Sequence, residues 1–393
     1  MSDNGINTDK LLPIIAFSKD YFEDPTSNHH ILEGLAKHTT VIWLNSIASR
    51  NPNFGNARDV KKIFHKIIKF LRGPVNVKAQ LWVMTPLVLP FPYSRAAQRI
   101  NLLILKITLF MVRLRVGIFK EPYQLWSFIP TAAYFVHQLK SPKKVYYCTD
   151  DWSQFSFVKK DDIVKIEKLM CASVDLVFAT AGSLVDKCRK MNENTYLISH
   201  GVNYGHFATA VYEDIPVPLD IKDIRGPIAG FFGLIEDWID LDLIRHAAAV
   251  NPDVTFVLIG KVLVDVGSFK NVPNVRFLGR KAFSELPAYC RGFSMGLIPF
   301  KMNELTKNVN PIKLKEYLSA GLPVISTPLP EVLLYSDQCR IASGSEEFAN
   351  GVLFYKAGIS KELRMKLSDS MRGETWEEKV TKILALLRGV NNR

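Results

Sequence analysis

Short runs of apolar and aromatic residues recur along the first half of the chain, separated by stretches in which apolar positions return every three or four residues. The runs predict strands at 12–17, 41–45, 81–84, 124–128, 145–149, 176–179 and 196–199. Each is a continuous run, the pattern of a parallel strand buried on both faces. The intervening stretches predict helices near 31–37, 130–140, 161–172 and 182–191, with Pro130 in a first turn where its missing N–H costs nothing. Periodicity lapses over 208–226, around Pro216 and Pro218, and a domain linker is expected there. A second series follows, with strands at 228–232, 254–259, 275–278, 295–299 and 323–326 and helices at 240–250, 284–291 and 311–320. The chain closes largely helical over 346–388. Two αβ series joined by one linker predict an α/β protein of two doubly wound domains facing each other across a cleft.

Composition agrees: 393 residues, 48% of them apolar, are enough for two separate cores. Charge is unevenly spread. Residues 1–207 carry 27 Lys and Arg against 16 Asp and Glu, whereas the remainder carries 23 against 22. Between 50 and 120 there are 14 basic residues and a single acid, Asp59, which suggests a polyanionic partner. Within this block Val60, Ile63, Phe64, Ile67 and Leu71 recur at helical spacing while Lys61, Lys62, Lys66, Lys69 and Arg72 fill the other faces. That is the composition of a helix lying on an anionic membrane surface through 60–72; the alternative is a helix packed on its own domain. The next apolar stretch, 96–119, is apolar on most sides and reads as core. No helix-turn-helix or RNP string accompanies the basic block, so nucleic acid is not expected as a partner.

The longest apolar stretch is broken by Lys106, Arg113 and Arg115 and does not read as a bilayer span. Asp3, Asp9 and Lys10 precede only a short apolar run, unlike a signal peptide. The five cysteines form no C-x-x-C pair and read as buried thiols in a reducing compartment. A cytoplasmic location is expected, with the inner face of the cell membrane as the docking surface.

Walker A, G-x-G-x-x-G, G-x-S-x-G and H-E-x-x-H strings are all missing. The most informative segment is 303–327. Asn310 suits an N-cap, Pro311 a first turn, and Gly321 with Pro323 a stop, which defines a short helix opening onto the loop after the strand at 295–299. A helix N-terminus favours an anion, and Lys313 in its first turn is a misfit that a bound phosphate would relieve. Glu316 and Tyr317 follow one turn on, where a carboxylate meets sugar hydroxyls. Gly233 and Glu236 come after one strand, and Gly260 and Lys261 after another, where glycine permits close approach to a ligand. In the first half, His30, the pair Asp150 and Asp151, and the string beginning at His200 lie at strand ends or helix starts.

At these residues the chain resembles the bacterial GT-B glycosyltransferases that use sugar nucleotides, the family 4-like group that includes teichuronic acid, capsule and exopolysaccharide transferases. The matching strings include FFGLIEDWIDLDLI (231–244), FVLIGK (256–261), ELPAYCRGFSMGLIPF (285–300), NELTKNVNPIKLKEYLSAGLPVISTPLPEV (303–332), VYYCTDDWSQF (145–155) and ISHGVNYGHF (198–207). The resemblance implies a Rossmann-like acceptor-binding domain over 1–210, a sugar-nucleotide-binding domain over 220–372, and a C-terminal helix over 373–393 with the first domain as a place to pack. It further implies that Lys313 holds the diphosphate, Glu316 the ribose or sugar, and Lys261 and Gly233 the phosphate surroundings; the strand-end and helix-start positions Glu236, Asn310 and Tyr317 complete the expected donor site. Two positions depart from the family pattern: Asn308 stands eight before Glu316 where a glutamate is usual, and Asn203 replaces an aspartate.

The expected reaction moves a sugar from a nucleotide-diphosphate donor to a saccharide or lipid-linked acceptor in surface polysaccharide synthesis. Asp150, Asp151 and His30 compete as general base if configuration inverts. No cofactor or metal is expected, since Lys313, Lys261 and the helix N-terminus meet the leaving-group charge and no D-x-D string is present. The alternatives are a sugar-nucleotide epimerase of the same fold and a non-catalytic membrane-peripheral binding protein.

Overall fold

The computed structural model of the protein describes residues 11–23, 25–47, 57–91, 94–155 and 158–389, with the backbone alone for 57–63. Two compact units divide the chain, Met1–Ile198 and Ser199–Arg393. The first contains strands β1 (Ile14–Phe17), β2 (Val41–Leu44), β3 (Val75–Lys78), β4 (Leu81–Met84), β5 (Gln124–Ser127), β6 (Lys143–Cys148), β7 (Leu176–Ala179) and β8 (Thr195–Leu197). Its helices are α1 (Ser27–Leu35), α2 (Ala57–Leu71), α3 (Arg95–Val116), α4 (Ala133–Gln138), α5 (Lys160–Ala172) and α6 (Gly182–Arg189). The second unit opens on α7 (Tyr204–Tyr212) and α8 (Leu219–Lys222), so the stretch 208–226 lies inside it. Its strands are β9 (Ile228–Phe232), β10 (Thr255–Ile259), β11 (Val275–Gly279), β12 (Met295–Ile298), β13 (Val324–Ser326) and β14 (Cys339–Ile341). Helices α9 (Leu241–Val250), α10 (Leu286–Gly292), α11 (Ile312–Ser319), α12 (Pro330–Leu333), α13 (Ser345–Tyr355), α14 (Lys361–Asp369) and α15 (Trp376–Gly389) complete it.

The first sheet runs β3-β4-β2-β1-β5-β6-β7-β8 and the second β11-β10-β9-β12-β13-β14. Every pairing is parallel except β3 with β4. Most central strands are buried along their whole length, which is why they stand out in the sequence as continuous apolar runs. The two strands that the runs did not announce are edges. β3 reads VNVK and is exposed over most of its length, and β14 has three residues; neither has the apolar run that a central position demands.

Strand order also says where a ligand belongs. In a doubly wound sheet, the crevice lies beyond the carboxyl ends of the two strands at which the winding reverses. Here those are β1 and β5 in the first sheet and β9 and β12 in the second. Each sheet has its own core. Phe17, Leu44, Leu125 and Tyr146 belong to the first, and Phe231, Leu258, Leu297 and Tyr317 to the second. In the second core, Gly296 leaves room for the Tyr317 ring, to which an added Cβ would come within 2.6 Å.

The expectation that 96–119 is core needs correction. Helix α3 is capped by Ser94, whose hydroxyl accepts from the Ala97 N–H, and stopped by Gly117 in the left-handed conformation. It buries one face through Ala97, Asn101, Leu105, Thr108, Leu109 and Val112, but its opposite face, also apolar, is exposed. Apolar composition shows that a helix has such faces; it does not say how many neighbours the fold supplies. Of the 60–72 segment, the side chains of Val60, Lys61, Lys62 and Ile63 lie outside the described residues, while Phe64, Ile67 and Leu71 are exposed. Among the described residues, no helix is long and apolar enough to cross a membrane.

Candidate functional site

Three loops gather at the β9–β12 reversal of the second sheet. Residues after β9 and β10 are joined by a parallel bridge between Ile235 and Val262, with the Ile235 N–H donating to the Lys261 carbonyl at 3.0 Å. The loop after β9 is tied in turn to the one after β12 by an antiparallel bridge between Ile239 and Phe300. Gly233 and Gly260 sit where these loops leave the sheet, at φ 144° and 150°, a conformation that side chains disfavour. A Cβ on Gly260 would stand 1.7 Å from the Gly233 carbonyl oxygen, and one on Gly233 would stand 2.2 Å from Cε of Lys313. The glycines therefore let two backbones and a lysine converge where any side chain would intervene.

The loop from 301 to 311 delivers α11 to this point. Its organiser is Thr306, which the sequence reading passed over. Its hydroxyl donates to the Lys301 carbonyl and accepts from the Asn303 N–H at 3.0 Å, while its own N–H reaches the Asn303 side chain at 3.0 Å. The spacing Asn303-x-x-Thr306 was the available signal, that of a side chain closing a turn on the backbone. Asn310 is not the cap that its position suggested. The N-cap is Pro311, and the Asn310 amide donates to Glu331 at 3.1 Å, so Asn310 anchors the helix start to α12.

Along α11, residues three apart share a face and residues two apart do not. Lys313 and Glu316 therefore project together. Lys313 is half-buried against Gly233, and Glu316 is 7% exposed. Among the described residues, neither makes a hydrogen bond or an ion pair. Burial holds the Lys313 ammonium below its ordinary pKa against the opposing pull of Glu316. Burial also pushes the Glu316 carboxyl up to about 7, with Lys313 drawing it back. Two desolvated charges without a protein partner are costly in a folded chain, and a binding site is the common reason to keep them.

The neighbours on α11 have other duties. Tyr317 is fully buried, accepts from the Phe232 N–H at 3.0 Å and packs edge-on against the Phe232 ring. It has no surface to offer a ligand, and its place in the donor set is corrected to positioning β9. Lys315 faces the other way. Its Nζ lies 2.6 Å from the His200 carbonyl and 2.6 Å from Glu374, which also holds Lys379 at 2.7 Å. Nearby, Lys261 is exposed and Glu236 half-buried, on the two loops that the Ile235–Val262 bridge joins.

In the first unit, His30 and Asp150 stand at the carboxyl edge of the sheet, on α1 after β1 and on the turn after β6. Both are half-buried, and Asp150 accepts from the Thr149 hydroxyl at 2.8 Å. His29 next to His30 is structural. It accepts at Nδ1 from the Thr26 N–H and bonds the Tyr21 carbonyl through Nε2, and burial lowers its pKa. Asp151 is corrected from base candidate to structural carboxylate. It accepts from the Ser153 N–H and hydroxyl and pairs with Lys187 at 2.8 Å, and Lys187 in turn reaches the buried Glu167 at 2.5 Å. Burial opposes the Asp151 charge, but these partners outweigh it and hold the carboxyl below its usual range.

No protein-family model matches the chain. A protein of Bacillus subtilis (strain 168), provisionally named the teichuronic acid biosynthesis glycosyltransferase TuaH, is 27% identical over 202 residues, which are 47% of this chain and 50% of that protein. The match thus spans about half the length of this relative. Sucrose-phosphate synthase of Thermosynechococcus elongatus shares the fold with a TM-score of 0.70 at 14% identity, over 97% of this chain and 99% of its own. The UDP-forming trehalose-phosphate synthase of Burkholderia vietnamiensis gives 0.66 at 12% identity, over 97% and 98%. Anabaena HepE in complex with UDP-glucose gives 0.62 at 12% identity, over 95% and 99%. The two doubly wound parallel sheets of this chain are the GT-B architecture, shared with these glycosyltransferases along nearly its whole length.

Proposed function

We propose that the protein is a glycosyltransferase that takes a sugar from a nucleotide-diphosphate donor and passes it to a saccharide acceptor carried on a lipid, in the synthesis of a surface polysaccharide. The observation that carries this reading is the pair Lys313 and Glu316, desolvated, sharing one face of α11 and left unpaired at the β9–β12 reversal. The donor diphosphate lies beside Lys313 at the ends of β9 and β10, where Gly233 and Gly260 let the loop backbones and the lysine converge. Lys313 and the exposed Lys261 neutralise it as the sugar leaves. Of the two, Lys313 is the fixed and desolvated charge, worth more there than in water. Glu316, near half-protonation at neutral pH, can both give and accept a hydrogen bond and so holds a ribose or sugar hydroxyl. An inverting reaction draws its base from Asp150 or His30.

Three findings support the donor and acceptor classes. The HepE structures hold UDP with glucose and UDP-glucose, and the Escherichia coli trehalose-6-phosphate structure holds UDP-2-fluoro glucose. The TuaH name points to an envelope polysaccharide. The excess of basic residues over 50–120 favours an acceptor on the anionic inner leaflet, met by the 60–72 segment from the cytoplasmic side.

Thermal unfolding in the presence of nucleoside diphosphates tests this directly. A ligand at one hundred times its Kd stabilises by about 2.7 kcal/mol, so one base should raise Tm by several degrees. Lys313→Ala should keep the fold but weaken that ligand by roughly 10- to 100-fold, the value of a charge-assisted hydrogen bond. Transfer should stop in this variant, while wild-type transfer continues in excess EDTA because lysines supply the charge. A folded Lys313→Ala protein with an undiminished shift and normal turnover would refute the assignment. Conversion of the donor sugar without any acceptor would mark an epimerase instead.

A further inference from the structure

The outward face of α3 has no occupant in the fold. Ile100, Leu103, Ile107, Phe110, Met111 and Leu114 lie along it at helical spacing and are 49–62% exposed. These are large side chains, and together they form one stripe over the length of a 22-residue helix, about 33 Å. A stripe of this kind is more than the scattered apolar residues of an ordinary surface. Its borders are basic. Arg95, Arg99 and Lys106 line one flank and Arg115 the other, all exposed, and α3 contains no acidic residue. Among the described residues none of these four has an ion-pair partner. Arg113 alone is engaged, bonding the carbonyls of Phe119 and Glu121 and stacking on Tyr123.

We infer that α3 is a membrane-insertion element, its apolar stripe sunk into the acyl boundary of an anionic leaflet and its arginines and lysine at the phosphate level. The charge pattern selects this occupant. A second copy of the same face would set four cations against four cations, whereas a bilayer of anionic lipid offers both the apolar interior and the counter-charge. The placement also fits the reaction. Helix α3 follows β4 in a parallel sheet, so its first turn stands at the carboxyl edge of the first sheet, the same edge as His30 and Asp150. Asn101, in the next turn, ties the helix start to the preceding loop by bonding both the N–H and the carbonyl of Leu89. A lipid-linked saccharide rising from the leaflet beside α3 thus meets the edge that carries the candidate base. The inference rests on the lipid-linked acceptor proposed above only for its purpose, not for its physics.

All five native cysteines are free and buried, so a thiol placed on the surface can be labelled selectively. Ile107→Cys carrying an environment-sensitive dye should shift to the blue with vesicles of phosphatidylcholine and phosphatidylglycerol, and stay unchanged with phosphatidylcholine alone. A dye at Leu219→Cys, on an exposed site of the second unit, should not respond. In sedimentation with the same anionic vesicles, the unlabelled Leu103→Glu/Ile107→Glu variant should bind roughly tenfold or more weakly than wild type. Its nucleotide-induced Tm shift should be unchanged, which shows that the fold and the donor site are intact. Wild-type sedimentation with an unresponsive Ile107 dye, or with full binding by the double variant, overturns the role of α3 while leaving another membrane contact in place. A dimer in solution that the double variant dissolves, without vesicle binding by wild type, assigns the face to self-association and overturns the inference outright. Loss of the nucleotide shift in wild type bears on the donor site alone.

Discussion

Lys313 and Lys315 are two residues apart on the same short helix, yet they sit in opposite electrostatic settings. Lys315 is 2% exposed and fully engaged: burial lowers its pKa, and Glu374 and the His200 carbonyl compensate. Removing one member of such a pair leaves the other charge buried, so Glu374→Ala should cost about 3 kcal/mol in chemical denaturation while nucleotide affinity per folded molecule stays the same. Glu316 makes the reverse case. Its carboxyl is protonated in the folded state up to about 7, against 4.5 when exposed, so the native state holds an extra proton between those values. Stability must then fall as pH rises through that window, by about 3 kcal/mol in all. Glu316→Gln should remove the fall, leaving the variant no more stable than wild type at pH 4 and more stable at pH 8, as read from Tm in each buffer without ligand. A wild-type pH profile that Glu316→Gln does not alter would mean that the carboxyl is hydrated. Sequence could single out Lys313 and Glu316 through their spacing and the helix start. It could not separate Asp150 from Asp151, because the residue that occupies Asp151 is Lys187, 36 positions away.

Among the elements, legibility followed burial. Central strands announce themselves because both faces are apolar, and the edge strands β3 and β14 do not. Helix α3 misled because its two apolar faces look identical in sequence, although only one has the sheet behind it. The site loops were legible in part. The glycines were visible, but the bridges that bring the loops after β9, β10 and β12 together are backbone contacts, which leave no trace in side-chain chemistry. These loops predict their own sensitivity. Gly260→Ala adds a Cβ 1.7 Å from the Gly233 oxygen in a conformation of φ 150°, whereas Gly358→Ala meets only the φ of 76° and open space. The second substitution should cost about 1–2 kcal/mol, the penalty for the left-handed region. The first should cost distinctly more, by displacing the Gly233 carbonyl and with it the floor under Lys313. Equal denaturation midpoints for the two variants would show that the loops relax freely and that no cradle is held there.

Over the whole molecule, charge is unevenly divided. Nearly all of the net +12 belongs to residues 1–207, the part with α2 and α3, while the part with Lys313 and Glu316 is close to neutral. On the proposed reading, the first half meets its partner through exposed cations and the second through one or two desolvated charges. The two respond differently to salt. Exposed charges are screened beyond the Debye length, about 10 Å at 0.1 M and 3 Å at 1 M, while charges in a dry pocket are screened much less. Raising ionic strength should accordingly reduce kcat/KM steeply for an acceptor embedded in anionic vesicles, because each surface cation near the leaflet contributes about 1 kcal/mol at most and loses it together with its neighbours. The same salt series with a detergent-solubilised acceptor should change kcat/KM little, and the KM for the donor should move least of all. The comparison is made on one enzyme preparation, so folding and donor binding are common to both arms. Parallel losses in the two series would place the salt-sensitive step at the donor site and would separate the basic half from acceptor delivery; a loss confined to the vesicle series ties the charge of residues 1–207 to the surface from which the acceptor comes.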